Sequence, residues 1–161
     1  MVCMLYFEHM KNITPNLWFN GNAKEAVEFY LSVFPDSNSI STMYYPNSTE
    51  EGLADFQRNL AGKVLSIDFE LSGTRFVAIN AGPEFKFNES VSFAIPCENQ
   101  EEIDYYWDKL SAVPESEQCG WLKDKYGLSW QVAPKDIEEL MKRPNAFANM
   151  MKMKKIVIAD F

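Results

Sequence analysis

Apolar and polar positions along this chain change their period several times, and each change marks the end of one element and the start of another. Ile13 to Phe19 is short, apolar and bounded by Asn20-Gly21, which predicts a strand followed by a turn. Ala23, Ala26, Val27, Tyr30, Leu31 and Phe34 then recur at helical spacing as one stripe, and Pro35 ends it. Asn22 with Glu25 three residues later has the form of a capping box, in which the amide accepts from a free backbone N–H and the carboxylate reaches back. The same grammar returns further on. Val91 to Cys97 alternates as a strand, Asn99 with Glu102 repeats the cap, and Ile103, Tyr106, Trp107 and Leu110 form a second stripe. The chain therefore reads as two copies of strand, helix, then several strands, with Gly82-Pro83 as punctuation between them.

Each copy ends in a predicted antiparallel pair. Val64 to Leu71 and Thr74 to Ala81 flank Ser72-Gly73, while Trp121 to Lys125 and Leu128 to Ala133 flank Tyr126-Gly127; both glycines suit turn positions needing positive φ. Tyr44 to Ala61 carries Pro46 and Gly52 among polar residues and predicts a loop with a helical turn, of the kind that often covers a site. After Pro134 come a short helix around Ile137 to Met141 and a basic tail with Met150, Met151, Met153, Lys152, Lys154 and Lys155. That tail is either a partner-binding or membrane-surface helix or, the preferred reading, a segment whose methionines dock on the domain or across a dimer.

Strand periodicity sorts the side chains into two faces. Leu65, Ile67, Phe69 and Leu71 are expected toward the helices, leaving Ser66, Asp68 and Glu70 opposite. By the same count Val77 and Ile79 leave Phe76, Ala78 and Asn80; Val91, Phe93 and Ile95 leave Ser90, Ser92 and Ala94; Leu128, Trp130 and Val132 leave Ser129 and Gln131. One face is thus expected to be polar. It is either the wetted side of an antiparallel sheet or, if the sheet curls, the wall of a cleft.

Composition narrows what such a fold would meet. With 161 residues, 47% hydrophobic and 14% aromatic, the chain has ample material for a packed core. A formal net charge of −8 repels phosphate backbones and anionic lipids, so no nucleic-acid and no membrane partner are expected. Cys3, Cys97 and Cys119 form neither a disulfide framework nor a zinc pattern, which suits a cytoplasmic protein, and no signal-peptide pattern or membrane-length apolar run is read. Residues 1–10 read as an N-terminal extension. Residues 11–161 read as a single domain of two modules, about 11–82 and 88–134, plus a C-terminal helical tail.

Five segments carry a family likeness: Ile13-Thr-Pro-Asn-Leu-Trp-Phe19, Glu25-Ala-Val-Glu-Phe-Tyr30, Phe34-Pro-Asp36, Asn80 to Phe87, and Cys119 to Gln131. Together they resemble the signature segments of PhnB-like proteins, in the glyoxalase/bleomycin-resistance (vicinal oxygen chelate) superfamily. That branch is often labelled a 3-demethylubiquinone-9 3-methyltransferase family. The resemblance implies an α+β fold of two βαβββ modules, forming curved mixed sheets with helices on one face, and a homodimer. In metal-using relatives of the superfamily the sheet supplies His, Glu or Gln ligands. At the matching positions this chain has Pro15 or Asn16, Asn80, Ser92 and Gln131, an amide-and-hydroxyl set that holds transition metals weakly. The only histidine, His9, precedes the first strand, so no metal and no cofactor are expected, although a weak site using Asp68 or Glu70 stays open. The methyltransferase label also lacks its usual signature, since no Gly-rich loop joins a strand to a helix ahead of an acidic residue.

Three functional readings follow. The first is a metal-free small-molecule-binding protein, its ligand contacted by Trp18, Asn80, Ser92 and Gln131. The second is an enzyme of isomerase or lyase type using Asp68, Glu70 or Gln131 in a cleft, with Asp68 and Glu70 as candidate general base and acid. The third is a dimeric interaction module whose cleft is filled by its own side chains. Cys119, with Lys123 nearby, is weighed as an activated thiol against a packed structural cysteine, the latter preferred. Trp121 and Trp130 are aromatics of either core or cavity.

Overall fold

A computed structural model of the protein describes residues 13–161; the N-terminal extension, with Cys3 and His9, lies outside the described residues. The chain divides into two compact units between Gly82 and Pro83.

The first unit runs β1 (Asn16–Phe19), α1 (Ala23–Val33), β2 (Asn38–Tyr44), a 3-10 turn (Asp55–Leu60), β3 (Val64–Leu71) and β4 (Thr74–Asn80). Its four strands lie in the order β1-β4-β3-β2, with β1 parallel to β4 and the other pairs antiparallel. α1 buries Ala23, Ala26, Val27, Tyr30 and Val33, and it packs on β3 and β4, where Ile67, Phe69 and Leu71 are also buried. Each large side chain removed from water there stabilises the fold by about 1.5–3 kcal/mol. Val33 rather than Leu31 completes the stripe, because the helix ends at Val33 and Leu31 falls on its flank.

The start of α1 departs from the capping box expected at Asn22. The Asn22 side chain makes no cap bond; Asn80 Oδ1, from the far end of β4, accepts from Ala23 N at 3.1 Å instead. The faces of β4 also depart from the periodicity count. Antiparallel pairing sets Phe76 opposite Phe69 and Ala78 opposite Ile67, so Phe76, Ala78 and Asn80 lie on the helix side and Val77 and Ile79 on the other. In Thr74–Asn80 both alternating sets are apolar, and pairing with β3 decides between them. β2 is the strand that the βαβββ order implies and that periodicity does not mark. All seven of its residues are exposed, so it carries no one-sided pattern to find.

The second unit runs β5 (Ser92–Cys97), α2 (Gln100–Leu110), a 3-10 turn (Pro114–Ser116), β6 (Trp121–Lys123), β7 (Ser129–Pro134), α3 (Ile137–Leu140), α4 (Ala146–Met150) and a last 3-10 turn (Ile158–Asp160). Its sheet has the order β5-β7-β6, parallel then antiparallel. The mixed α+β class and the duplicated order stand, and the second copy has one strand fewer, with the Pro114–Ser116 turn where the first copy has β2. Here the capping box forms nearly as expected. Asn99 Oδ1 accepts from Glu102 N at 3.0 Å, and Glu102 Oε2 reaches one residue further back, to Glu98 N at 2.8 Å. Ile103, Trp107 and Leu110 are buried beneath α2.

The basic tail docks on this same unit. Cys119 N donates to Met153 O and Gly120 N to Lys154 O, and Ile156 is buried. The Gln100 amide clasps the segment from both sides, donating to Ile156 O at 3.0 Å and accepting from Ile158 N at 2.9 Å. Lys154 and Lys155 pair with Glu117 and Asp104, so part of the tail's positive charge is neutralised within the unit. Among the described residues no helix is long and apolar enough to cross a membrane.

Candidate functional site

Each sheet carries its helix on one face and presents the other as a candidate surface. In the first unit the pairing puts Trp18 beside Ile79 and Asn16 beside Val77, in line with Ser66 and Asp68 across β3. Trp18, Val77, Ile79, Asp68 and Glu70 are half-buried there and Ser66 is buried. The result is an aromatic and aliphatic floor with a polar border. Trp18 is held in place through its indole N–H, which donates to Gly82 O at 2.8 Å.

Asp68 and Glu70 share this face, as expected, and a residue not singled out from the sequence joins them. Arg75 stands opposite Glu70 in the register and reaches diagonally to Asp68, with Nε at 2.9 Å from Oδ1 and a terminal nitrogen at 2.7 Å from Oδ2. Its hydrogen bonds hold the Asp68 carboxyl below the ordinary aspartate range, slightly offset by burial. An anion engaged on both oxygens is a poor proton acceptor, so as a general base Asp68 would first have to release the guanidinium. Counting the register outward from the Ser72-Gly73 turn places Arg75 here; that is the signal that could have found it.

Asn80 lies on the helix side, contrary to its expected face. Oδ1 caps Ala23, Nδ2 donates to Val64 O at 2.9 Å, and the backbone carbonyl of Asn80 accepts from the Tyr45 hydroxyl at 3.2 Å. It joins helix, sheet and the loop after β2. Asn16, a position matched to a metal ligand in relatives, is exposed and donates to Thr14 O.

In the second unit Ser92 and Gln131 do come together, and Gln131 Nε2 donates to Ser92 Oγ at 2.8 Å across the β5–β7 pair. Ser129 pairs with Ser92 in register and with Lys123 on the other side; its hydroxyl is buried with no partner among the described residues. Trp121 lies beside Gln131 on this face, whereas Trp130 is buried toward the helix. Lys123 pairs with Glu89.

Asp124 was also missed. It is fully buried in the turn between β6 and β7, where Oδ1 accepts from Tyr126 N at 2.8 Å and Leu128 N at 3.0 Å, and Oδ2 accepts from Trp130 Nε1 at 2.9 Å. An aspartate three residues before a turn glycine is the Asx-turn signal that marks it. These three hydrogen bonds tie the turn to β7. Among the described residues no three His, Cys, Asp or Glu side chains come together in a group that could hold a metal ion.

Residues 11–133 match the 3-demethylubiquinone-9 3-methyltransferase family. Among solved structures, the PhnB protein of Bacillus cereus is similar at 34% identity over 77% of this chain and 99% of that one, with a TM-score of 0.59. Protein PA1353 of Pseudomonas aeruginosa is similar in fold, at 17% identity over 77% of this chain and 97% of that one, with a TM-score of 0.56. No curated protein matches the chain. Profile and identity together show that the chain belongs to the 3-demethylubiquinone-9 3-methyltransferase family, the PhnB-like branch of glyoxalase-like proteins.

Proposed function

We propose that this protein binds a small organic molecule on the helix-free face of its sheets, without a resident metal. The observation that carries the reading is the face of the first unit, where half-buried Trp18, Val77 and Ile79 adjoin Ser66, Asp68, Glu70 and Arg75. An apolar floor with a few fixed polar groups is the usual chemistry of a small-molecule site. Such a face suits a ligand with a flat apolar body and one polar end, the body stacking on Trp18 and the end bonding at the polar border.

The second unit supports the reading in its own way. Ser92 and Gln131 present a neutral hydroxyl and amide already bonded to each other. Neither group is a strong ligand for zinc, nickel or iron. A homodimer belongs to the same proposal, and sedimentation of the purified chain tests it.

The deciding experiment is a thermal-shift screen of metabolites, run with EDTA and again with added divalent ions, followed by calorimetric titration of any hit. Binding that survives EDTA and weakens at least tenfold in Trp18→Ala or Gln131→Ala supports the proposal. Binding that needs a divalent ion, or that both substitutions leave untouched, overturns it.

A further inference from the structure

At the edge of the second unit's helix-free face, and sharing Trp121 with it, lies a shallow open depression of about 410 Å³, lined by Glu89, Ser116, Gln118, Cys119, Trp121 and Met151. Its chemistry differs from that of the helix-free faces because two sulfur atoms meet in it. Cys119 Sγ lies 3.7 Å from Met151 Sδ and 3.4 Å from the Met150 carbonyl oxygen. Cys119 is a free cysteine with partial access to solvent, and Met151 is 45% exposed. Cys97, the other described cysteine, is fully buried.

The backbone imposes this meeting. Cys119 sits at φ 52°, a left-handed conformation uncommon for a residue with a side chain, and its N–H is bonded to Met153 O. The docked tail thereby brings Met151, some thirty positions along the sequence, against the thiol.

We propose that Cys119 and Met151 form a binding site for a soft monovalent metal ion of the copper(I) or silver(I) type. Thiolate and thioether are soft ligands that select such ions over magnesium or calcium. With sulfur–metal bonds of about 2.3 Å, a linear two-coordinate ion needs the sulfurs roughly 4.6 Å apart, so the exposed Met151 side chain swings outward by about 1 Å to admit it. On binding, the Cys119 S–H bond breaks, its proton passes to solvent, and the sulfur lone pair takes the ion; the thioether donates a lone pair and loses nothing. The metal keeps its oxidation state. This site is independent of the small-molecule reading and stands or falls alone.

The test uses the full chain carrying Cys3→Ser, titrated anaerobically with copper(I) against a colorimetric chelator and, separately, with silver(I). One ion per chain with release of one proton is expected, lost in Cys119→Ser and weakened about tenfold or more in Met151→Leu. X-ray absorption of the copper-loaded parent should show two sulfur neighbours. Retention of the ion by Cys119→Ser, unchanged affinity in Met151→Leu, or a single sulfur in the absorption spectrum overturns the proposal. Should Cys119→Ser lose native circular dichroism, Met151→Leu and the absorption spectrum decide.

Discussion

Trp130 Nε1 donates to Asp124 Oδ2 at 2.9 Å, and both side chains are closed off from water. The carboxylate also accepts from two turn amides, so one buried residue bonds three donors across the β6–β7 turn and β7. Asp124→Ala is expected to destabilise the fold by about 3–5 kcal/mol, since each orphaned donor costs part of its desolvation. Chemical denaturation measures it. A loss under about 1 kcal/mol would falsify this role for Asp124.

Asn80 and Asn22 make a contrasting pair. Asn80→Ala removes the acceptor for Ala23 N and the donor to Val64 O, with an expected cost of about 1–3 kcal/mol. Asn22→Ala removes no cap bond and should change stability by less than about 0.5 kcal/mol. Equilibrium unfolding of the two variants side by side checks the assignment; equal losses would return the cap to Asn22.

Gly120 sits between the tail and the sheet, its N–H bonded to Lys154 O and its carbonyl to Val132 N. A Cβ there would lie 2.8 Å from Val132 O and 3.1 Å from Ile156 Cγ1, at a φ of +85°. The carbonyl belongs to a paired strand and has little room to yield, so Gly120→Ala should cost about 2–4 kcal/mol and loosen the segment around Ile156. At Gly73, also at positive φ but with open space around it, the same change should cost only about 1–2 kcal/mol. Limited proteolysis reads the difference: Gly120→Ala is cut near the tail under conditions that spare Gly73→Ala.

Cys97 links stability to alkaline pH. Burial pushes its thiol up to about 12 from the ordinary value of 9.0, with Glu102 adding to the shift. Below the unfolded value both states keep the proton and nothing changes. Between the unfolded and folded values only the unfolded chain releases it, so stability falls as pH rises, by about 1.4 kcal/mol per unit. Denaturation midpoints across that window should decline less steeply in Cys97→Ala than in the parent. Parallel slopes would sink the claim.

How much of this was legible in the residues depends on how one-sided each segment is. β3 was sorted correctly because Ile67, Phe69 and Leu71 alternate with Ser66, Asp68 and Glu70. β4 was not, because Phe76 and Val77, or Ala78 and Ile79, suit either face equally. Ser92 and Gln131 could be placed on one polar face from their own strands, while their bond needed the β5–β7 register. Asp124, a charged residue in a turn, reads as solvated until its donors are assembled around it.

Local spacing by itself determined the two helices, the strand–helix–strand order and its repetition, since these rest on periods of two and 3.6 that neighbours in the chain impose. Motif content marked the family for the same reason. Only the tertiary structure decided which face of β4 meets α1, which asparagine caps that helix, where Arg75 spends its charge and that Cys119 faces Met151. Those outcomes depend on pairing register and on a tail folding back across its unit. Register and docking are set by the summed fit of distant segments, a quantity no single stretch of residues carries.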